Sequence, residues 1–172
     1  GAGIPTEEFG KCAEKAFSFL PATSHSVPTI EQAVYQGGQI SLPNHQPETN
    51  EFTRLALAFP SVPLTSQDAY SFAVANSLLG GGSSFSSGGP GKGMYSRLYT
   101  QVLNNYHWSE SAQAFNLGYK TTGLFGIHGA CTPGNAYKML SVFYNQLSSL
   151  GNCSREELER AKNQLKSSIR MG

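Results

Sequence analysis

Two segments rich in apolar residues, Ser109 to Tyr119 and Gly123 to Cys131, are separated only by Lys120-Thr121-Thr122. A connection that short joins strands antiparallel, because a parallel crossover needs about a dozen residues or more, so the spacing predicts a hairpin. Phe52 to Phe59 adds a strand in which Leu55, Leu57 and Phe59 alternate with Ala56 and Ala58, the pattern of a strand whose second face is also partly covered. The remaining apolar periods are helical. Thr6 to Phe19 carries Phe9, Cys12, Ala13, Ala16 and Phe17 behind a Thr6 N-cap, with Pro21 just past its end. Pro21 to about Glu51 then turns to Pro, Ser, Thr, Gln and Asn without a period, and reads as a connection between two domains. Ser66 caps a helix striped by Tyr70, Ala73, Val74 and Leu78 and widened by Phe72, Ala75 and Leu79, which should be largely buried. Tyr95, Leu98, Tyr99, Val102 and Tyr106 mark the next helix. Thr132-Pro133 opens another, with Pro at the first helical position and Ala136, Tyr137, Leu140, Phe143, Tyr144 and Leu147 facing inward, and Gly151 ends it. The last helix has a capping box, Ser154 with Glu157, then Leu158, Ala161, Leu165 and Ile169 inward, and Glu156 and Arg160 four residues apart. The order predicts an α+β fold with helices packed on a mainly antiparallel sheet.

Charge narrows the function. The 172 residues carry a formal net charge of only +1, and no basic stripe or acidic tail appears. That argues against nucleic acid and against electrostatic membrane binding. The longest apolar run, Leu55 to Phe59, cannot span a bilayer, so no direct transmembrane segment is expected. No signal or transit-type segment is recognised at the start of the chain either. Cys12, Cys131 and Cys153 are widely spaced without a Cys-x-x-Cys pair and read as small buried residues or inert thiols in a reducing compartment, not as a disulfide frame.

Seven of the fourteen residues from Gly80 to Gly93 are glycine. A phosphate-binding P-loop is excluded by spacing: Gly91-Lys92 is followed by Gly93 where Ser or Thr must stand, Ser86 occupies the first glycine position, and a helix, not a strand, leads in. A plain linker has no need of Phe85 at the centre or Pro90 near the end, so a functional loop stays open. Catalytic motifs are absent. His107-Trp108-Ser109-Glu110-Ser111 approaches the zinc motif His-x-x-Glu-His, but Ser111 stands where the second His must be. His25, His45 and His128 read as non-ligands too. Asp68, the only aspartate, sits in the first turn of a helix where it serves the macrodipole, and no Gly-x-Ser-x-Gly elbow occurs. No catalytic residue and no metal ligand is therefore assigned.

LLGGGSSFSSGGPGKGMYSRLYTQVLNNYHW (Leu78 to Trp108) resembles the glycine-rich segment of the mitochondrial processing peptidase alpha subunits, within the pitrilysin-like metallopeptidases. TGLFGIHGAC (Thr122 to Cys131) and EELERAKNQLKSSI (Glu156 to Ile169) resemble the strand and helix that follow there, and GAGIPTEEFGKCAEKAFSFLP resembles the last strand and helix of the first domain. The resemblance implies a two-domain clamshell half. Residues 1–20 would be the terminal strand and helix of a first domain, 21–51 the interdomain connection, and 52–172 a second domain incomplete at its C-terminal end. It implies a non-catalytic, substrate-recognising subunit in the mitochondrial matrix. The partner, a catalytic beta subunit, would hold the zinc, and the substrates would be presequences of imported proteins. The alternative it implies is a structural core subunit of respiratory complex III, attached through that complex to the inner membrane, or both roles in one chain. The implied substrate-binding residues are Gly80, Gly81, Gly82, Ser83, Ser84, Phe85, Ser86, Ser87, Gly88, Gly89, Pro90, Gly91, Lys92 and Gly93.

Between Tyr70 and Trp108 there is no acidic residue, while Lys92 and Arg97 are present. Such a loop is a poor acceptor for the arginines of a basic presequence, so its share of recognition should be apolar and backbone contact, or gating.

Overall fold

The computed structural model describes residues 3–20, 31–43, 52–83 and 94–171. They belong to two compact units, Gly1–Glu31 and Gln32–Gly172, whose division falls inside the predicted connection. His25 and His45 lie outside the described residues.

In the first unit, helix α1 spans Thr6–Phe17. Thr6 is its first helical residue and not its cap: Pro5 takes the N-cap position in an extended conformation, and its carbonyl accepts the Phe9 N–H at 3.0 Å. Within this unit the predicted apolar face is not covered, since Phe9 and Phe17 are exposed and no helix residue is buried.

The second unit is built on a four-stranded sheet in the order β1-β4-β3-β2, every neighbouring pair antiparallel. β1 is Thr53–Ser61, β2 Gly81–Ser83, β3 Ser109–Gly118 and β4 Gly123–Cys131. β3 and β4 form the predicted hairpin, and a bulge at Glu110 lets Ser109 pair with Cys131 while Ser111 pairs with Ala130. On β1, Leu57 lies opposite Ile127, which on its other side lies opposite Ala114. That register points Leu55, Leu57, Ala112, Ala114, Phe125, Ile127 and Cys131 to one face. There they meet Leu79 of helix α2 (Ala69–Leu79) and Met139 and Phe143 of helix α3 (Ala136–Ser148) in a single core. Burial pushes the Cys131 thiol up, consistent with an inert packing residue. On the opposite face Ala56, Gln113 and His128 are exposed, and Ala58 is half-buried with its carbonyl accepting the Tyr35 hydroxyl at 3.3 Å.

Several predicted helical details are corrected. α2 is only partly buried, and Tyr70 of its expected stripe is 74% exposed. Ser66 stands ahead of the helix proper, its hydroxyl accepting the Asp68 N–H at 3.2 Å. The segment after the glycine-rich stretch is not α-helical: Leu98–Leu103 is a π-helix, closed by a bond from the Asn104 N–H to the Tyr99 carbonyl at 3.0 Å. Leu98 and Val102 are fully buried there, but Tyr95 is exposed. Pro133 does not start α3. It sits in a turn closed by the Asn135 N–H on the Thr132 carbonyl, with Gly134 at φ 84°, the pattern of a type II turn. The inward face of α3 runs through Ala136, Met139, Phe143 and Leu147, whereas Tyr137, Leu140 and Tyr144 face outward.

Helix α4, Arg155–Met171, begins at the predicted capping box: the Ser154 N–H donates to Glu157 Oε2 at 3.0 Å and the Glu157 N–H to Ser154 Oγ at 3.1 Å. Ala161 is buried, Leu158 and Leu165 are half-buried, and Ile169 is exposed instead of inward. Arg160 pairs with Glu156 at 3.3 Å. No helix among the described residues is long and apolar enough to cross a membrane.

Candidate functional site at the base of the glycine-rich segment

The glycine-rich segment leaves α2 at Gly80, which has a φ of 54° and donates its N–H to the Asn76 carbonyl at 2.8 Å. A positive φ in this range suits glycine. Gly80 also accepts the Ala114 N–H at 2.9 Å, so the chain enters the sheet immediately. Gly81, Gly82 and Ser83 pair with Gln113, Ala112 and Ser111 as β2. The sequence offered no sign of this strand; the expected loop begins as an edge of the sheet. Gly81 has a φ of 103°, and a Cβ there would lie 1.9 Å from the Ala112 carbonyl oxygen. Ser84, Phe85, Ser86, Ser87, Gly88, Gly89, Pro90, Gly91, Lys92 and Gly93 lie outside the described residues.

The chain returns at Met94 and Tyr95, both exposed, then dives inward at Ser96 and Arg97, which are 6% and 5% exposed. Ser96 meets the departing strand directly: the Gly81 N–H donates to Ser96 Oγ at 3.1 Å. A Cβ on Gly80 would come 2.5 Å from Ser96 Cβ, so the two arms lie too close there to admit a side chain. Departure and return therefore share one base.

Arg97 fastens that base to the start of α4 and the turn before it. Its Nε donates to Glu157 Oε1 at 3.0 Å and its Nη2 to Glu157 Oε2 at 3.1 Å. Its remaining donors reach the Ser149 carbonyl at 3.0 Å and the Asn152 carbonyl at 3.1 Å, in the turn between α3 and α4. A planar guanidinium can satisfy a carboxylate and two carbonyls at once, which a lysine ammonium cannot do in the same geometry. The Arg97 bonds, followed by the Ser154 amide, push the Glu157 carboxyl down to about 2. Sequence reading treated Arg97 as a free positive charge beside the loop. The ion pair makes it internal, and Glu157 serves both it and the α4 cap.

Beside the returning arm, a groove of about 380 Å³ runs between α2 and α4, lined by Ser77, Leu78, Tyr95, Arg160, Ala161 and Gln164. Arg160 lies 5.6 Å from the Tyr95 ring centroid and donates to the Tyr95 carbonyl at 3.3 Å. His107 lies in the turn before β3 and Glu110 at its bulge. Among the described residues no three His, Cys, Asp or Glu side chains converge as a metal site.

A model of the family described as peptidase M16 inactive domain matches residues 1–165. Across 98% of its length the chain is 49% identical to the mitochondrial-processing peptidase subunit alpha of Neurospora crassa, covering 32% of that protein. It is 41% identical to the probable subunit alpha of Schizosaccharomyces pombe and 34% identical to that of Homo sapiens, in each case over 99% of this chain and 35% of the relative. The chain thus spans about a third of the length of these relatives. Two solved structures share the fold. A chain of complex III2 from Candida albicans superposes with a TM-score of 0.72 at 17% identity, over 98% of this chain and 39% of the other. A peptidase M16 inactive domain from Pseudomonas fluorescens gives 0.69 at 20% identity, over 96% and 37%.

Proposed function

Because the chain belongs to the peptidase M16 inactive-domain family, we propose that it is part of a non-catalytic, substrate-recognising subunit of a heterodimeric zinc endopeptidase that removes mitochondrial presequences. The observation that carries this reading is the 34–49% identity, over nearly the whole chain, to proteins named as alpha subunits of that peptidase. The family's reaction needs a zinc ion, and the described residues of this chain do not fit one. In this reading zinc is held by a catalytic beta partner in the mitochondrial matrix, and this chain supplies contact with the presequence through Gly80 to Gly93.

Entropy constrains how such a loop can contribute to binding. Gly80, Gly81, Gly82 and Ser83 are already held by the sheet, so at most residues 84–93 remain to be ordered on binding. At roughly 1–2 kcal/mol each, ordering all ten would cost about 10–20 kcal/mol, which the contacts formed would have to exceed before any affinity appeared. The fewer residues that must be ordered, the more of each contact shows as affinity, and Phe85 is the one aromatic side chain between Gly80 and Gly93 that can make an apolar contact. Arg97, being consumed by Glu157, neither attracts nor repels a basic presequence.

Co-purification tests this assignment. The subunit should be isolated with a zinc-bearing partner, and presequence cleavage should require both chains. Isolation with cytochrome subunits and no processing activity would instead favour the complex III core reading, for which the common fold is the present support.

A further inference from the structure

We propose that Gln39 to Leu42 is a strap that closes the outer edge of β1 as a fifth strand and so shields that edge from pairing with another extended chain. The inference is independent of the recognition reading. Four observations carry it. β1 ends the sheet, and among the described residues no strand pairs with its outer side. Leu57 directs its carbonyl to β4, where it lies against Gly126, and alternation along the strand then turns the backbone groups of Arg54, Ala56 and Ala58 outward. The chain ahead of β1 already touches that side: the Ala33 N–H donates to Thr121 Oγ1 at 3.4 Å, and the Tyr35 hydroxyl to the Ala58 carbonyl at 3.3 Å. Thr121 lies in the hairpin turn beyond the Ser61 end of β1, so from Ala33 to Tyr35 the chain runs antiparallel to the strand. Finally, Gln39-Ile40-Ser41-Leu42 alternates polar with apolar, and Ile40 and Leu42 are 87% and 84% exposed.

The register follows from the anchors and the side chains. Pairing Gln39 with Ala56 and Ser41 with Arg54 sets Gly37 opposite Ala58 and keeps Tyr35 at the end of β1 where its hydroxyl already bonds. Ile40 then stands beside Leu55 and Leu42 beside Thr53, on the face where Leu55 and Leu57 are only half-buried next to α3. A slip of one residue would turn both apolar side chains to the opposite face. Gly37 and Gly38, with φ of 71° and 147°, bend the chain between Tyr35 and the strap. Pro43, which has no N–H to give, ends the pairing.

The experiment uses the full-length subunit in its native assembly, with hydrogen exchange read at single amides of β1. The Arg54 and Ala56 amides should exchange more slowly than those of an unstructured chain. Ile40→Asp, which sets a charge beside Leu55, should speed both by about two- to tenfold, the equivalent of one backbone hydrogen bond. The Leu57 amide, which faces β4, should exchange as before. A cross-link checks the register: Leu42→Cys with Thr53→Cys should join on mild oxidation, whereas Ser41→Cys with Thr53→Cys should not, because those two side chains leave opposite faces. Unprotected Arg54 and Ala56 amides in the unaltered subunit would overturn the strap. Protection that Ile40→Asp leaves unchanged would overturn it too, since a different segment or a partner would then cover the edge. Acceleration of the same size at Leu57 would do so as well, as the mark of a strand loosened throughout, and equal cross-linking of the two cysteine pairs would overturn the pairing proposed.

Discussion

Arg97 and Glu157, sixty residues apart in sequence, meet through two parallel bonds of 3.0 and 3.1 Å, with the arginine side chain 6% and the glutamate 27% exposed. The pair joins the return of the glycine-rich segment to the first turn of α4, so one carboxylate both caps a helix and holds a loop base. Arg97→Ala should destabilise the domain by about 3 kcal/mol, towards the low end for a broken buried pair because Glu157 retains some water. Arg97→Lys should recover only part of this, since an ammonium cannot serve Glu157, Ser149 and Asn152 together. Urea denaturation of the three proteins checks both expectations.

The same pair sets an acid limit. The Glu157 carboxyl is held at about 2, below its ordinary 4.5, chiefly by Arg97. A depressed folded value means that the stabilisation is full above the unfolded value and is lost as pH falls from about 4.5 through about 2. By linkage it is of the order of 3 kcal/mol. In Glu157→Gln this decline should be absent, so the stability gap between the two proteins should narrow on acidification and be flat above about pH 5.5. A gap independent of pH down to about 2 would contradict the assignment.

Gly81 and Gly134 both have positive φ, but only Gly81 is crowded. Gly134→Ala should cost about 1–2 kcal/mol for the left-handed backbone alone. Gly81→Ala meets the same penalty and drives a Cβ into the Ala112 carbonyl, so its cost should be larger and β2 should separate from β3. Denaturant midpoints for both, with amide exchange at Ala112 as the local readout, separate conformational cost from collision.

Much of the fold was legible because its signals are local. The Lys120-Thr121-Thr122 turn lies within the hairpin, and the capping box lies within four residues. β2 was illegible because Gly-Gly-Ser has no alternation to read and its partner is thirty residues on. The face of α3 was read too wide: Ala136, Phe143 and Leu147 do turn to the core, but Tyr137, Leu140 and Tyr144 form as good an apolar row, and only the sheet decides between them. Pro133 misled because proline suits both a helix start and the second position of a turn, and Gly134 settles which. Arg97 and Glu157 carried no pairing signal at all, since nothing in either neighbourhood marks the other.

The α3 result has its own test. Tyr144→Ser should change stability by less than about 0.5 kcal/mol, as an exposed site does, whereas Phe143→Ala should cost about 3–5 kcal/mol. Comparable losses at the two positions would mean that the outward row is covered in the whole protein.

The central claim is that the glycine-rich segment recognises presequences by apolar and backbone contact. Phe85→Ala in the assembled peptidase should weaken substrate use by about 1–3 kcal/mol, and Lys92→Ala by less, because a cation gains little from a basic presequence. Gly81 to Ser83 belong to the sheet and the Gly80 carbonyl bonds to it, so a deletion test must spare them. The most direct measurement is presequence affinity of the heterodimer in which residues 84–93 alone are replaced by a short Gly-Ser turn. The account predicts affinity at least about tenfold weaker with heterodimer assembly intact; unchanged affinity in an intact heterodimer would contradict it.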